Sequence, residues 1–144
     1  MEFTQEIIVN VPRERFIELF DNPANLTQWQ EGLLSFTPIS GTPGTPGATS
    51  RLVFRRGKGT MEMVETITRR VLPDAFDATY DAKGVHNICE NTFEDAGPDA
   101  TRWVARNVFE MKGFMKVIGL LFGRSFPKQS YAYMVAFKDF AERS

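Results

Sequence analysis

Few side chains in this chain can carry chemistry, and most of them stand at alternate positions of strand-like runs. Over 60–71, Met61, Met63, Glu65 and Ile67 alternate with Glu62, Val64, Thr66 and Thr68. Over 75–83, Phe76, Ala78, Tyr80 and Ala82 alternate with Asp77, Thr79 and Asp81. A period of two puts each first set on one face, predicted to point inward. Over 101–111 the same rule turns Trp103, Ala105, Asn107 and Phe109 inward, against Arg102, Val104, Arg106 and Glu110. Over 85–94, Val85, Asn87, Cys89, Asn91 and Phe93 turn inward, which leaves His86 and Glu90 outside and lets Glu90 pair with Arg106. The opposite register would bury Glu90 and His86, a larger cost than burying amides.

The predicted inner face is therefore aromatic and methionine, with Glu65, Tyr80, Asn87, Asn91 and Asn107 set into it. A dry core accepts such groups only where each has a partner. Either they satisfy one another, or they line a wet pocket and orient a ligand; the pocket is the expectation. In an apolar pocket the Glu65 carboxylate has a raised pKa and suits a general base that removes a proton beside a carbonyl. Asparagine amides suit the resulting enolate oxygen, so Glu65, Tyr80 and Asn107 form the candidate catalytic set. Other chemistries lack parts. One His and one Cys cannot assemble a zinc site of the usual ligands. Gly57-Lys58-Gly59-Thr60 is a turn, not a phosphate loop, and a Ser-His-Asp triad would have to use the outward His86. No cofactor is expected.

These faces need a scaffold. Strands are predicted at 3–9, 33–39, 51–57, 60–71, 75–83, 85–94 and 101–111, with turn signals such as Pro73-Asp74, Lys83-Gly84 and Gly97-Pro98 between them. Connections this short imply an antiparallel meander. Pro12 suits the first turn of a short helix, and Asn22-Pro23 caps a second that carries Leu26 and Trp29. A loop holding Gly-Thr-Pro twice occupies 40–50. From 113 to 142 the spacing is helical: Met115, Ile118, Gly119 and Phe122 form one stripe, and Ser130, Met134, Phe137 and Ala141 another. Pro127 predicts a kink or break near 123–126. A lone amphipathic helix after a curved sheet must lie across it, so the fold class is α+β.

Composition bounds the function. With 17 basic and 18 acidic residues, the whole chain has no net field to draw nucleic acid or an anionic membrane. Cys89 is the only cysteine, so no intrachain disulfide forms and a reducing cytoplasm is the expected location. The first residues lack the basic and apolar regions of a signal peptide, and the longest apolar run, 117–122, is too short to span a bilayer.

The order of strand, two short helices, six-strand meander and long helix resembles the helix-grip superfamily, the START-like or SRPBCC proteins. The Asn10-Val11-Pro12-Arg13 helix entry, the 21–29 segment ending in Trp29 and the closing 133–142 stretch carry the resemblance over the whole chain. The stretch from Gly84 to Lys116 is similar to small bacterial members of the polyketide cyclase or dehydrase type. The resemblance implies one domain over 1–144, with about seven antiparallel strands curved around a long C-terminal helix in the order β-α-α-β-β-β-β-β-β-α. It also implies an apolar cavity between sheet and helix, of order 300–1,000 Å³. The expected occupant is a small hydrophobic or aromatic molecule. Expected contacts on the sheet are Phe54, Met61, Met63, Glu65, Phe76, Tyr80, Asn87, Asn91, Trp103, Asn107 and Phe109. Those from the helices are Trp29, Met115, Ile118, Phe122, Met134 and Phe137. Two alternatives stand beside the binding protein. One is a cyclase or dehydratase that uses the pocket carboxylate; the other is an interaction module that docks through the apolar 114–126 segment, which leaves room for a homodimer.

Overall fold

The computed structural model describes residues 1–144. Seven strands run β1 (Glu2–Val9), β2 (Leu33–Ser40), β3 (Thr49–Arg56), β4 (Gly59–Val71), β5 (Ala75–Ala82), β6 (Val85–Asp95) and β7 (Thr101–Met111). They form one antiparallel sheet in the order β1-β7-β6-β5-β4-β3-β2. Short turns account for the pairings from β3 to β7, and the 41–48 loop joins β2 to β3. Only β1 with β7 is long-range, and it fixes the N-terminal strand at the sheet edge. A bulge in β4 between Ile67 and Arg69 shifts the register against β5 and adds local bend.

Two helical pieces lie between β1 and β2. Helix α1 (Arg13–Phe20) has Pro12 as its N-cap, one residue before the first turn. Next, Asn22 Oδ1 accepts the Ala24 amide at 3.1 Å and opens a 3-10 turn over Pro23–Asn25, followed by α2 (Leu26–Trp29). The Asp21 carboxylate then grips the Arg70 guanidinium by two bonds of 2.6 Å, tying the end of α1 to β4.

The predicted terminal helix is two helices, α3 (Phe114–Phe122) and α4 (Ser125–Arg143). The break falls at Gly123, where an added Cβ would lie 2.5 Å from the Gly119 carbonyl oxygen. Pro127 sits in the first turn of α4, where its missing N–H leaves no bond unmade. Helix α4 is fastened along β1 at both ends. Gln5 Nε2 donates to the Pro127 carbonyl at 2.8 Å; Lys138 Nζ donates to the Ile8 carbonyl at 2.8 Å, and the Asn10 amide donates to Glu142 at 2.8 Å. Lys138 and the Asn10 amide hold the Glu142 carboxyl below its ordinary range. No helix is long and apolar enough to cross a membrane.

The core gathers where α4 meets α1 and the sheet. Phe137 is fully buried, with ring centroids 4.8 Å from Phe16, 5.2 Å from Trp29 and 5.5 Å from Trp103. Phe16 in turn lies 5.1 Å from Phe93. The outer face carries the charges that alternation predicts: Glu90 pairs with Arg106, and His86 Nδ1 meets Asp81 at 2.5 Å. Burial on this scale predicts that Phe16→Ala costs about 3–5 kcal/mol in urea unfolding, the usual loss for a buried Phe cut to Ala. Phe122→Ser, at a side chain 58% exposed, should change stability by less than about 0.5 kcal/mol.

Candidate functional site

The aromatic core fills only one end of the space between sheet and α4. The other end is a cavity of about 540 Å³. Its floor is the open side of the core: Phe20, Trp29, Trp103, Ala105 and Met134. Its sheet wall carries Leu52, Phe54, Met61, Met63, Tyr80, Asn87, Cys89, Asn91, Asn107 and Phe109. Met115 and Ile118 of α3 close the roof. Exposed residues mark the mouth, namely Glu31, Arg55 and Arg56 on one side and Ser125 and Gln129 on the other.

Strand register explains how the polar groups meet. Glu65, Tyr80, Asn87 and Phe109 lie opposite one another across four strands, and Cys89 pairs with Asn107 in the next inward row. Many of these groups satisfy one another. Trp103 Nε1 donates to Asn91 Oδ1 at 2.9 Å, and Asn91 Nδ2 donates to the Phe76 carbonyl at 3.0 Å. Asn91 is thus a strut that orients the indole. Asn87 Nδ2 donates to Asn107 Oδ1 and to the Val108 carbonyl, each at 3.2 Å. Two polar atoms remain over: Asn107 Nδ2 and Asn87 Oδ1 bond to nothing in the protein. A third unmet group is the Trp29 indole N–H, which is buried and finds no acceptor.

Glu65 is the one carboxylate of this inner row, and it does not line the cavity. Tyr80 stands on the wall in front of it and donates its hydroxyl to Glu65 Oε2 at 2.8 Å. Burial raises the Glu65 pKa, and the Tyr80 bond offsets part of that rise. Burial first, then the adjacent Glu65 charge, hold the Tyr80 phenol well above its ordinary value. Burial pushes the Cys89 thiol up to about 12, so it acts as a small apolar wall group and not as a nucleophile. The predicted catalytic set is therefore divided: Glu65 and Tyr80 touch, while Asn107 lies two strands away on the next row.

Of the residues predicted as ligand contacts, thirteen line the cavity and four do not: Glu65, Phe76, Phe122 and Phe137. Each exception has a packing reason. Phe137 lies one turn deeper along α4 than Met134 and is enclosed by rings on all sides. Phe76 packs edge-on against Phe20, beside the core. Phe122 is exposed because the inward stripe of α3 ends at Gly119, which rests against Met111 Sδ. Glu65 is screened by Tyr80. Ala82, Val85, Cys89 and Ala105 also line the cavity, and strand alternation already signals their direction. No spacing marks Gln30, Glu31, Arg55, Arg56, Gln129 or Tyr133, which come from separate elements that meet only at the mouth.

No family model matches the sequence, and no curated protein matches it. Solved structures do match. The Zhui aromatase/cyclase of Streptomyces sp. R1128 superposes with a TM-score of 0.81 at 12% identity, over 99% of this chain and 94% of that one. Ara h 8.0201 gives 0.77 at 13% identity over 100% and 99%. Norcoclaurine synthase of Thalictrum flavum, solved with a transition-state analogue, gives 0.74 at 14% identity over 99% and 94%. The chain has the helix-grip fold, a curved seven-stranded antiparallel sheet gripping a long C-terminal helix.

The Glu65 environment sets a pH dependence. The folded chain protonates this carboxyl more readily than the unfolded chain does, so it holds the extra proton and loses stability as pH rises through the raised pKa. Glu65→Gln keeps an oxygen for the Tyr80 hydroxyl and removes the titration. Its melting temperature relative to the parent should be higher at neutral pH than near pH 4, about the ordinary Glu value. A difference that is flat across this range would assign the dependence to another group.

Proposed function

We propose that the chain is a single ligand-binding domain that takes up a small, mainly apolar molecule bearing at least one polar group, in the cavity between the sheet and α4. One observation carries this reading. The cavity is apolar over most of its wall, yet it presents a free amide donor on Asn107 and a free acceptor on Asn87, on two side chains joined through their other amide atoms. A carbonyl or hydroxyl on the ligand would satisfy what the protein leaves unmet, and aromatic and methionine walls adapt to its apolar body. The volume of about 540 Å³ is in the range that encloses drug-sized ligands. Fold neighbours that include a cyclase and a synthase add weight to a small-molecule role, by analogy of architecture alone.

Binding is favoured over turnover because the inner-row carboxylate is engaged by Tyr80 and stands behind it. The cyclase-like reading keeps one specific support, the Tyr80–Glu65 pair itself, which would hand a proton between cavity and carboxylate. The two separate cleanly. Glu65→Gln should leave affinity for a neutral ligand within a few-fold; loss of turnover with binding intact would favour the enzyme.

Native mass spectrometry of protein freshly purified from its own host should reveal a bound mass that disappears in Ala82→Trp, which places a large ring in the cavity near its mouth while circular dichroism stays unchanged. An identical mass on the filled variant would move the site elsewhere. Because Met115 and Ile118 form the roof, ligand should also slow hydrogen exchange over 114–122. Exchange over 114–122 that ligand leaves unchanged would mean that α3 does not cover the bound molecule.

A further inference from the structure

Helix α3 is apolar nearly all round, and only Met115, Ile118 and Gly119 turn toward the protein. Phe114 is 76% exposed, Leu120 83% and Leu121 70%, with Val117 and Phe122 beside them. A contiguous surface of this kind, at the rim of a cavity, marks a docking site. The charge around it identifies the occupant. Between Glu110 and Asp139 there is no acidic residue, while Lys112, Lys116, Arg124 and Lys128 flank or interrupt the apolar helix.

Topology adds further cations to the same end. The β3–β4 turn brings Arg55, Arg56 and Lys58, and the β5–β6 turn brings Lys83 beside Gly84, whose carbonyl accepts the Lys112 amide. None of these eight side chains has a carboxylate partner. Every other lysine and arginine except Arg143 is paired. Glu31 and Glu110 are the carboxylates near this end without a basic partner. Asp21, Asp74, Asp95 and Asp99 lie at the far end, with the β4–β5 and β6–β7 turns. A chain of net charge −1 is thus strongly polarised, its positive end coinciding with its exposed apolar helix and the cavity mouth.

We infer that this end docks on an anionic phospholipid bilayer, with α3 lying in the interface and the cations against the headgroups. Apolar area and basic rim are the two components of interfacial helix binding. A second copy of the chain fits less well, because pairing α3 with α3 would bring two such unneutralised rims together. The inference is independent of what fills the cavity, although docking would place the mouth where an apolar ligand could pass between bilayer and protein.

The test is flotation of the full chain with phosphatidylcholine vesicles and with equimolar phosphatidylcholine–phosphatidylglycerol vesicles. Binding is expected to the anionic vesicles alone and to fall as salt rises. Leu120→Ser/Leu121→Ser, at two exposed positions outside the cavity wall, should weaken it by at least about tenfold. Lys112→Gln/Lys116→Gln should weaken it by about fivefold per charge. Both variants should keep the parent melting temperature and the cavity-bound mass, which separates this test from that of the cavity reading. Absence of binding to either vesicle, or equal binding to both, would overturn the inference. So would a dimer in sedimentation equilibrium that the leucine variant dissociates, since a second copy would then cover the helix.

Discussion

The seating of Phe137 among Phe16, Trp29 and Trp103 sets the distance between helix and sheet, and the cavity follows from that distance. A straight helix touches a curved sheet closely over only part of its length. Here the close part is the C-terminal half of α4, locked by Phe137 and fastened to β1 through Lys138 and Glu142. Toward the N-terminal half the bend of the sheet carries β3 to β6 away from the helix. The side chains offered there, from Phe54, Tyr80 and Phe109 to Ala82, Cys89 and Ser130, line the gap without filling it. Packed rings close the floor, and the gap left beyond them is the cavity and its mouth.

The same division governs the polar groups. Asn91 lies next to the core and is fully used: it fixes the Trp103 indole on one side and the Phe76 carbonyl on the other. Asn107 and Asn87 lie one and two rows nearer the mouth and share a single bond, so each keeps an unused atom. Both outcomes foreseen for buried amides therefore occur in one face, mutual satisfaction where the packing is dry and unmet capacity where it is not. Glu65 follows the dry rule. Its carboxylate would be costly as an open wall group, and the Tyr80 hydroxyl both bonds it and covers it.

Much of the fold is legible in the sequence because its signals are local. Alternation and turn residues place all the strands to within a residue or two, and the outward Glu90 with its Arg106 partner follows from register alone. The break before Pro127 is equally local. Depth along the groove is not local. Alternation says that Phe76 and Tyr80 face the same way; it does not say that Phe20 covers one and space opens before the other. Helical spacing puts Phe122 on the stripe of Met115 and Ile118, but Phe122 is the last residue of α3 and its ring lies beyond the protein surface that Gly119 meets. The mouth is the least legible part, because Glu31, Arg55 and Gln129 come from three elements with no common pattern.

Net charge is the quantity in which composition and structure part most clearly. Counting residues gives a balanced chain with no field of consequence. The antiparallel meander then sends alternate turns to opposite ends of the sheet, and the acidic turns all go one way, the basic ones the other. Pairing removes most of the remaining charge from the strands, as Arg102 with Glu6 and Arg106 with Glu2 and Glu90 illustrate. What survives unpaired is concentrated at the cavity mouth. Close to the surface the field depends on where the unpaired charges lie as well as on their sum, so a nearly neutral chain still presents a positive end when its topology sorts its turns by sign.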